Sequence, residues 1–134
     1  MLSSTLPIRV YYEDTDAGGV VYYANYLKFF ERSRTESLRE IDVHQSELLK
    51  QNIAFVVKKV EMDYIKSARF DDLLLVKTWV ESHRKASLVF KQDIFHENGD
   101  LLCTATTLIA CVNLQRMKPT AIPVEIIKEL NCAR

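Results

Sequence analysis

One segment with helical periodicity, residues 22–41, is followed by a nearly unbroken series of strand-like segments, and this order restricts the possible folds most strongly. The segment contains neither proline nor glycine. Mostly apolar residues recur in it at steps of three and four, the spacing of one helix face. These positions are Tyr23, Tyr26, Leu27, Phe30, Arg34, Leu38 and Ile41. The first half is apolar or aromatic nearly all round, which predicts deep burial, whereas the charged second half must reach solvent or an interface.

β-Branched and aromatic residues predict a short strand at 8–13 and long strands at 53–64, 73–82, 86–95 and 101–114. Asn98-Gly99 predicts a tight hairpin between the last two strands. Short helices are predicted at 44–51 and, with Pro123 in the first turn, at 124–130. One long helix followed by consecutive hairpins gives an α+β fold, in which an antiparallel sheet carries a single helix on one face. Because the strands have apolar residues on both faces, the other sheet face needs a cover, and at least a dimer is predicted.

The length of 134 residues suits a single domain spanning residues 1–134. Eighteen lysines and arginines balance eighteen aspartates and glutamates, so nucleic acid is not expected as the main partner. No apolar run reaches the roughly 18–20 residues that span a bilayer, and the first residues do not resemble a signal peptide. The three cysteines are an odd number without close pairing. Free thiols in the cytoplasm are therefore expected, and peripheral attachment at the inner membrane stays an open alternative.

An acidic turn before the predicted helix is the main candidate for chemistry. Glu13, Asp14 and Asp16 fall within four residues and are followed by Gly18-Gly19. A carboxylate can attack or activate water, and free N–H groups at a helix start can hold a negatively charged oxygen. Taken alone, Asp16 is more typical of a turn or a helix cap. The glycines, which admit a ligand close to the backbone, and the neighbouring acids, which raise proton affinity, favour a catalytic role.

The same turn also has some features of a calcium-binding loop. Asp14, Asp16 and Gly19 fit its first, third and sixth positions. Gly18 stands at the fifth position and Asn25 at the twelfth, where a bidentate glutamate is required, so calcium is not expected. The three histidines have no metal-ligand spacing, and no metal site is predicted. These histidines are His44, His83 and His96.

The run from Tyr12 to Tyr22, with its Asp-Thr-Asp-Ala-Gly-Gly sequence, resembles the active-site segment of hotdog-fold acyl-CoA thioesterases of the hydroxybenzoyl-CoA thioesterase family. The likeness is greatest to the YbgC-type branch, which is associated with the Tol-Pal cluster of bacteria. It continues in shorter motifs along nearly the whole chain, at 25–27, 30–36, 54–57, 68–72, 87–90 and 117–119. The resemblance implies a hotdog fold, a curled antiparallel five-stranded sheet wrapped around one long central helix. It also implies edge-to-edge homodimers that often form homotetramers.

The resemblance places the family's catalytic aspartate at Asp16 and its oxyanion-binding N–H, from the residue that opens the helix, at Tyr23, where many members of this branch have histidine. It implies hydrolysis of an acyl-CoA thioester, with Asp16 as general base or as nucleophile. No metal or redox cofactor is expected, since coenzyme A is part of the substrate and its thiolate leaves readily. The alternatives are a non-catalytic module that binds acyl-CoA or acyl-carrier protein, or a scaffold for lipid-synthesis enzymes. A hotdog dehydratase or isomerase is disfavoured because no histidine precedes His44.

Basic residues near two strand ends are predicted to hold the phosphates of coenzyme A, as comparable positions do in similar thioesterases, with a serine hydroxyl beside them. These candidates are Arg84, Lys85, Ser87, Arg116 and Lys118. Asn25 is predicted to stabilise the helix start, to bond across to the acidic turn, or to contact the substrate. Glu31 is a second possible base, although an ion pair with Arg34 or at a dimer interface is the preferred interpretation.

Overall fold

One antiparallel sheet with a long helix on one face forms the protein, seen here in a computed structural model that describes residues 1–132. The strands run in the order β1-β3-β4-β5-β2, and a two-residue strand, β6, pairs with β5. The elements are β1 Ser3–Arg9, a 3₁₀ turn Tyr12–Asp14, α1 Asn25–Glu40, α2 Gln45–Lys50, β2 Ile53–Tyr64, β3 Leu73–Arg84, β4 Ser87–His96, β5 Leu101–Asn113, β6 Lys118–Pro119 and α3 Val124–Cys132.

The predicted α+β class and the predicted order of elements are confirmed, and the four long strands lie within two residues of their predicted bounds. Gly99 has a φ of 99° in the predicted hairpin. The predicted strand at 8–13 is wrong, since β1 ends at Arg9 and the chain then closes a 3₁₀ turn. The Asp14 carboxylate accepts the Tyr11 N–H at 2.8 Å, and this bond draws the backbone out of the strand ladder.

Helix α1 buries a single stripe against the sheet. Tyr26, Phe29, Phe30 and Leu38 are at most 3% exposed, and their spacing of three and four residues aligns them on one face. The prediction that the first half is buried nearly all round is wrong, since Leu27 is 42% exposed. The side of α1 that faces away from the sheet is exposed at Glu31 and Arg32.

The core is divided into two apolar clusters by a layer of buried polar side chains. One cluster surrounds Phe29 near the start of α1, and the other surrounds Leu38 near its end. Between them, Ser33 on the helix faces Thr78 and Gln92 on β3 and β4, and all three are at most 1% exposed. The Ser33 and Thr78 hydroxyl oxygens are 2.6 Å apart, and the Gln92 amide donates to Thr78 Oγ1 at 2.8 Å. These bonds satisfy polar groups that would otherwise be costly to bury.

The two edges of the sheet differ in character. Strand β1 carries Pro7, which lacks the N–H that a central strand would need. The middle of strand β2 is exposed to solvent, since Val56 is 38% and Val57 50% exposed. A β-bulge between Val57 and Lys59 shifts the register of β2 against β5. Within residues 1–132, no helix is both long and apolar enough to cross a membrane.

Candidate active site

The acidic turn folds into a small hairpin that presents Asp16 to solvent. Thr15 and Val21 form an antiparallel bridge, and the Asp16 N–H donates to the Val20 carbonyl at 2.9 Å. Gly19 adopts a φ of 76°, a conformation that glycine reaches without strain. The Gly18 N–H donates to Asp16 Oδ1 at 2.8 Å. One oxygen of the carboxylate is thereby held by the turn, so its orientation is fixed.

Tyr23 lies in the segment just before α1. The helix begins at Asn25 with Ala24 as its N-cap, so Tyr23 does not open the helix as predicted but precedes it by two residues. Within residues 1–132, the Tyr23 N–H has no hydrogen-bond acceptor. Its carbonyl accepts the Tyr64 hydroxyl at 2.9 Å, which ties this peptide to the end of β2. A free N–H beside the positive end of a helix can bind a negatively charged oxygen.

The structure brings the two predicted catalytic positions to one cavity. Asp16 and Tyr23 both line a space of about 290 Å³, which Tyr26 and Tyr64 also border. Burial raises the pKa of Tyr26 and the pKa of Tyr64 above their usual value, so both hydroxyls stay neutral at ordinary pH. The Tyr26 hydroxyl accepts the Ala68 N–H at 3.0 Å and fixes the wall of the cavity.

Asp14 and Asn25 form a buried pair beneath this cavity. Asp14 is 5% and Asn25 8% exposed, and the Asn25 amide donates to Asp14 Oδ1 at 2.7 Å. The second carboxylate oxygen takes the Tyr11 N–H. Of the three roles considered for Asn25, its bond in this structure is the one across to the acidic turn. Asp14 therefore joins the turn to the start of α1, while the carboxylate that meets solvent in the cavity is that of Asp16.

Asp16 also borders a second, smaller cavity on the other side of the turn. This space of about 210 Å³ is lined by Tyr12, Gly19 and Phe70 among others. The rings of Tyr12 and Phe70 lie 5.8 Å apart and both are exposed. The carboxylate thus stands between two open spaces, one leading to the Tyr23 N–H and the other to an aromatic pair.

The predicted phosphate-binding residues are brought together only in part. Arg84, Lys85 and Ser87 line a cavity of about 630 Å³ on the sheet face opposite α1. Arg116 and Lys118 are exposed beside it and do not line it. Sequence reasoning missed Lys58, which lines the same cavity because it is the extra residue of the bulge in β2. No local sequence signal marks that bulge. His83 is a second residue that sequence reasoning missed. It directly precedes the predicted basic pair and lines the cavity from the end of β3.

This basic cavity and Asp16 stand at opposite ends of the sheet. The acidic turn docks on residues 68–70, just before β3 begins, through a bridge between Val20 and Arg69. Arg84 lies at the far end of β3, eleven residues after its first residue, Leu73, and eleven residues of strand span about 36 Å. One chain therefore does not unite the predicted phosphate-binding residues with the predicted catalytic ones.

Glu31, the second carboxylate considered, lies outside the Asp16 cavity. It accepts the Thr35 hydroxyl at 2.7 Å. Within residues 1–132, no salt bridge joins Glu31 to Arg34, whose Nη1 donates to Gln92 Oε1 at 3.1 Å, although the Glu31 charge acts on Arg34 and opposes the lowering of its pKa by burial. In the same part of the chain, no group of three histidine, cysteine, aspartate or glutamate side chains is placed to hold a metal ion.

Comparison with known proteins identifies the class to which this fold and turn belong. The profile of the thioesterase-like superfamily matches residues 10–130, and the chain belongs to that superfamily. The solved structure of a DHNA-CoA thioesterase from Staphylococcus aureus superimposes with a TM-score of 0.86 at 32% identity, covering 90% of this chain and 81% of the other. The predicted hotdog fold is confirmed.

Two relatives narrow the class further. The acyl-CoA thioesterase YbgC of Haemophilus influenzae is 51% identical over 91% of this chain and 90% of its own length. The acyl-CoA thioester hydrolase YbgC of Escherichia coli O6:H1 is 49% identical over 92% of both chains. The predicted resemblance to the YbgC-type branch and the predicted enzyme class, thioester hydrolase, are confirmed.

Proposed function

We propose that the protein hydrolyses acyl-CoA thioesters with Asp16 as its reacting carboxylate and the Tyr23 N–H as its oxyanion-binding group. The observation that carries the proposal is that Asp16, which is exposed, and Tyr23, whose backbone N–H has no acceptor within residues 1–132, line one cavity. The thioester oxygen lies against the Tyr23 N–H, which stabilises the charge that develops when the carbonyl carbon is attacked. The attacking oxygen comes from water deprotonated by Asp16, or from Asp16 itself.

In either route the carbon–sulfur bond breaks and coenzyme A leaves as a thiolate that takes up a proton. In the nucleophilic route a mixed anhydride with Asp16 forms first and water then hydrolyses it. No metal or redox cofactor takes part in the proposal, because the thiolate is already a good leaving group. Mass spectrometry after a single turnover in H₂¹⁸O follows the solvent oxygen. Label in the Asp16 side chain demonstrates the nucleophilic route with water attacking the Asp16 carbonyl of the anhydride. Label only in the released acid is the outcome both of general base catalysis and of water attacking the acyl carbonyl of the anhydride.

The direct test is Asp16→Asn, assayed by release of free thiol from short, long and aromatic acyl-CoAs. Asparagine keeps the acceptor for the Gly18 N–H and removes the base, so we expect kcat to fall by about 10²–10⁴-fold. Glu13→Gln is the matched control, since Glu13 is exposed in the same turn. Unchanged turnover by the Asp16 variant would overturn the role of this residue. Tight acyl-CoA binding by the unmodified protein without release of thiol would support the non-catalytic module instead.

Within one chain, the predicted catalytic residues lie far from the predicted phosphate-binding residues, and this separation supports an active site shared between two chains. The open edge of β2, with its exposed Val56 and Val57, can pair with a second β2 across a two-fold axis. Tyr64 lies at the Asp16 end of β2, whereas Lys58, near its centre, borders the basic cavity. Antiparallel pairing of two β2 strands brings the basic cavity of one chain towards the Asp16 cavity of its partner. The proposed active unit is therefore a homodimer, or a homotetramer built from such dimers.

A complementation assay tests this arrangement. One inactive chain carries Asp16→Asn and the other carries Arg84→Gln with Lys85→Gln. Mixed dimers then contain one site with both defects and one with neither, so an equimolar mixture is expected to regain about a quarter of the unmodified activity. A site complete within one chain would give no recovery beyond the sum of the two variants.

A further inference from the structure

A turn at residues 68–72, termed the docking turn, supports the hairpin that carries Asp16. An antiparallel bridge joins Val20 of the hairpin to Arg69 of the docking turn. The Val20 carbonyl also accepts the Asp16 N–H at 2.9 Å. Two hydrogen bonds flank the bridge, from the Val21 N–H to the Ala68 carbonyl at 2.8 Å and from the Phe70 N–H to the Gly19 carbonyl at 3.3 Å. A movement of the docking turn is therefore transmitted to the backbone of Asp16.

The carboxylate of Asp72 closes the docking turn. Its Oδ2 accepts the Arg69 N–H at 2.8 Å, and the Asp72 N–H donates to the Arg69 carbonyl at 3.1 Å. Between these two residues, Asp71 has a φ of 69°, in the left-handed region that most residues avoid. A turn with such a residue keeps its shape only when its neighbours hold it. The bond from Arg69 to the Asp72 carboxylate is one of the contacts that do so.

A histidine at the end of β4 faces the other oxygen of this carboxylate. His96 Nε2 lies 3.3 Å from Asp72 Oδ1, and the two side chains are only 23% and 22% exposed. The Asn98 N–H donates to His96 Nδ1 at 3.0 Å, so the proton of the neutral ring is on Nε2, towards the carboxylate. The imidazole thus has one tautomer and one orientation, and it keeps Asp72 turned towards Arg69.

The carboxylate of Asp72 also lies close behind the wall of the Asp16 cavity. Burial is the main cause of the raised pKa of Tyr26, and the negative charge of Asp72 adds to it. Tyr26 borders the cavity, whereas neither Asp72 nor His96 lines it. The two residues are therefore near the candidate site without access to a substrate in it.

We propose that Asp72 and His96 are positioning residues for the Asp16 carboxylate. They fix the docking turn, and the docking turn sets where Asp16 stands relative to the Tyr23 N–H. The inference rests on the proposed function for the role of Asp16. A reacting group that is displaced by about 1 Å can lose about 100-fold in rate. Loss of the pair is therefore expected to lower kcat by about 10–100-fold and to leave KM within about twofold of its original value.

The first test compares two neighbouring aspartates by release of free thiol from acyl-CoA. Asp72→Ala removes the acceptor for the Arg69 N–H and is expected to show the fall in kcat. Asp72→Asn keeps an oxygen for that N–H and is expected to recover part of the rate. Asp71→Asn is the matched control, because Asp71 is exposed and asparagine tolerates a positive φ. Unchanged kcat in Asp72→Ala, or a raised KM alone, would overturn the proposal.

Glycine amides report the position of the hairpin without any turnover. The chain has three glycines, of which Gly18 and Gly19 lie in the hairpin and Gly99 lies between β4 and β5. In protein labelled with ¹⁵N-glycine, Asp72→Ala is expected to shift the signals of Gly18 and Gly19, and unmoved signals of these two contradict the inference. Unchanged turnover by Asp16→Asn refutes the proposed function instead. The glycine signals of Asp72→Ala still decide the positioning role in that case, so the two failures are distinguishable.

Two variants of His96 decide the matter if Asp72→Ala fails to fold in thermal unfolding. His96→Gln keeps a donor that reaches Asp72 and loses the acceptor for the Asn98 N–H. His96→Asn keeps this acceptor, because asparagine binds the N–H two residues further on, and loses the group that faces Asp72. We expect His96→Gln to retain most of kcat and His96→Asn to lose it. The opposite order would show that His96 acts only within its own hairpin, and the inference would be wrong.

Discussion

Replacement of Asn25 by alanine tests whether the candidate site is built on the buried pair beneath it. The Asn25 amide donates to Asp14 Oδ1 at 2.7 Å, and both residues are nearly inaccessible to solvent. Alanine removes the donor and leaves a buried carboxylate with the Tyr11 N–H as its remaining partner. Because the Asp14 carboxylate is nearly inaccessible to water, a water molecule does not replace the lost hydrogen bond.

The magnitude follows from the charge of the acceptor. A hydrogen bond to a charged group contributes about 1.5–3 kcal/mol, and the alanine variant should lose about 2 kcal/mol of unfolding free energy. Unfolding entropy is about 2.1 cal/mol/K per residue. For a chain of 134 residues, the melting temperature is therefore expected to fall by about 7 °C. Turnover should fall as well, because Asp14 also receives the Tyr22 N–H on its carbonyl at 2.9 Å and so positions the peptide before Tyr23.

Urea unfolding and thiol release are measured together on Asn25→Ala and on the same change in an Asp14→Asn background. If the effect acts through the Asp14 carboxylate, the alanine change costs less in that background, as a double-mutant cycle shows. An unaltered unfolding free energy, combined with a raised KM, would refute this reasoning. That result would make Asn25 a substrate contact instead.

Three further predictions concern the turn, the thiols and the sheet edge. Gly19→Ala should lose about 1–2 kcal/mol of unfolding free energy in urea because of its positive φ. Gly18→Ala should mainly lower kcat if Asp16 has its proposed role, since the new Cβ would lie 3.3 Å from Asp16 Oδ1. Burial raises the pKa of Cys103 to about 12, so iodoacetamide at pH 8 should modify the exposed Cys132 and spare Cys103, as mass spectrometry of digests would show. In the unfolded chain the Cys103 thiol ionises from about pH 9, whereas in the folded protein it keeps its proton. The free energy of unfolding should therefore fall as the pH rises above about 9. Val57→Asp should shift the protein towards monomer in light scattering and reduce turnover, whereas an unaltered mass would contradict pairing through β2.

The long strands could be predicted from the sequence because alternation of side chains and hairpin residues act locally. The first strand could not, since residues 8–12 have strand propensity but Asp14 captures the Tyr11 N–H and closes a turn. The predicted start of α1, Tyr22, lies three residues before the observed start at Asn25 for a related reason. Tyr22 and Tyr23 fit a helical pattern by type, yet Tyr22 donates its N–H to the Asp14 carbonyl and belongs to the turn.

The candidate site shows the same division between local and distant causes. Asp16 could be singled out because its glycines and carboxylates are neighbours in sequence. The contributions of Asn25, Lys58 and Tyr64 depend on contacts across 11 to 41 residues or on a bulge, and no short pattern encodes them. Residue type gave Arg84 and Lys85 their predicted role, but only the strand length shows how far they lie from Asp16.

The polar layer in the core has a consequence for the mobility of α1. A helix that rests on a sheet through apolar groups alone can slide by fractions of a turn at little cost, because such contacts have no preferred direction. The hydrogen bonds of Ser33, Thr78 and Gln92 form only when α1 has one particular position on the sheet, because hydrogen bonds are directional. This anchor lies about 12 Å along the helix from Asn25, so it sets the position of the helix tip from a distance. Replacing Ser33 with alanine should therefore lower the turnover proposed for the site near the start of α1, while the fold itself persists.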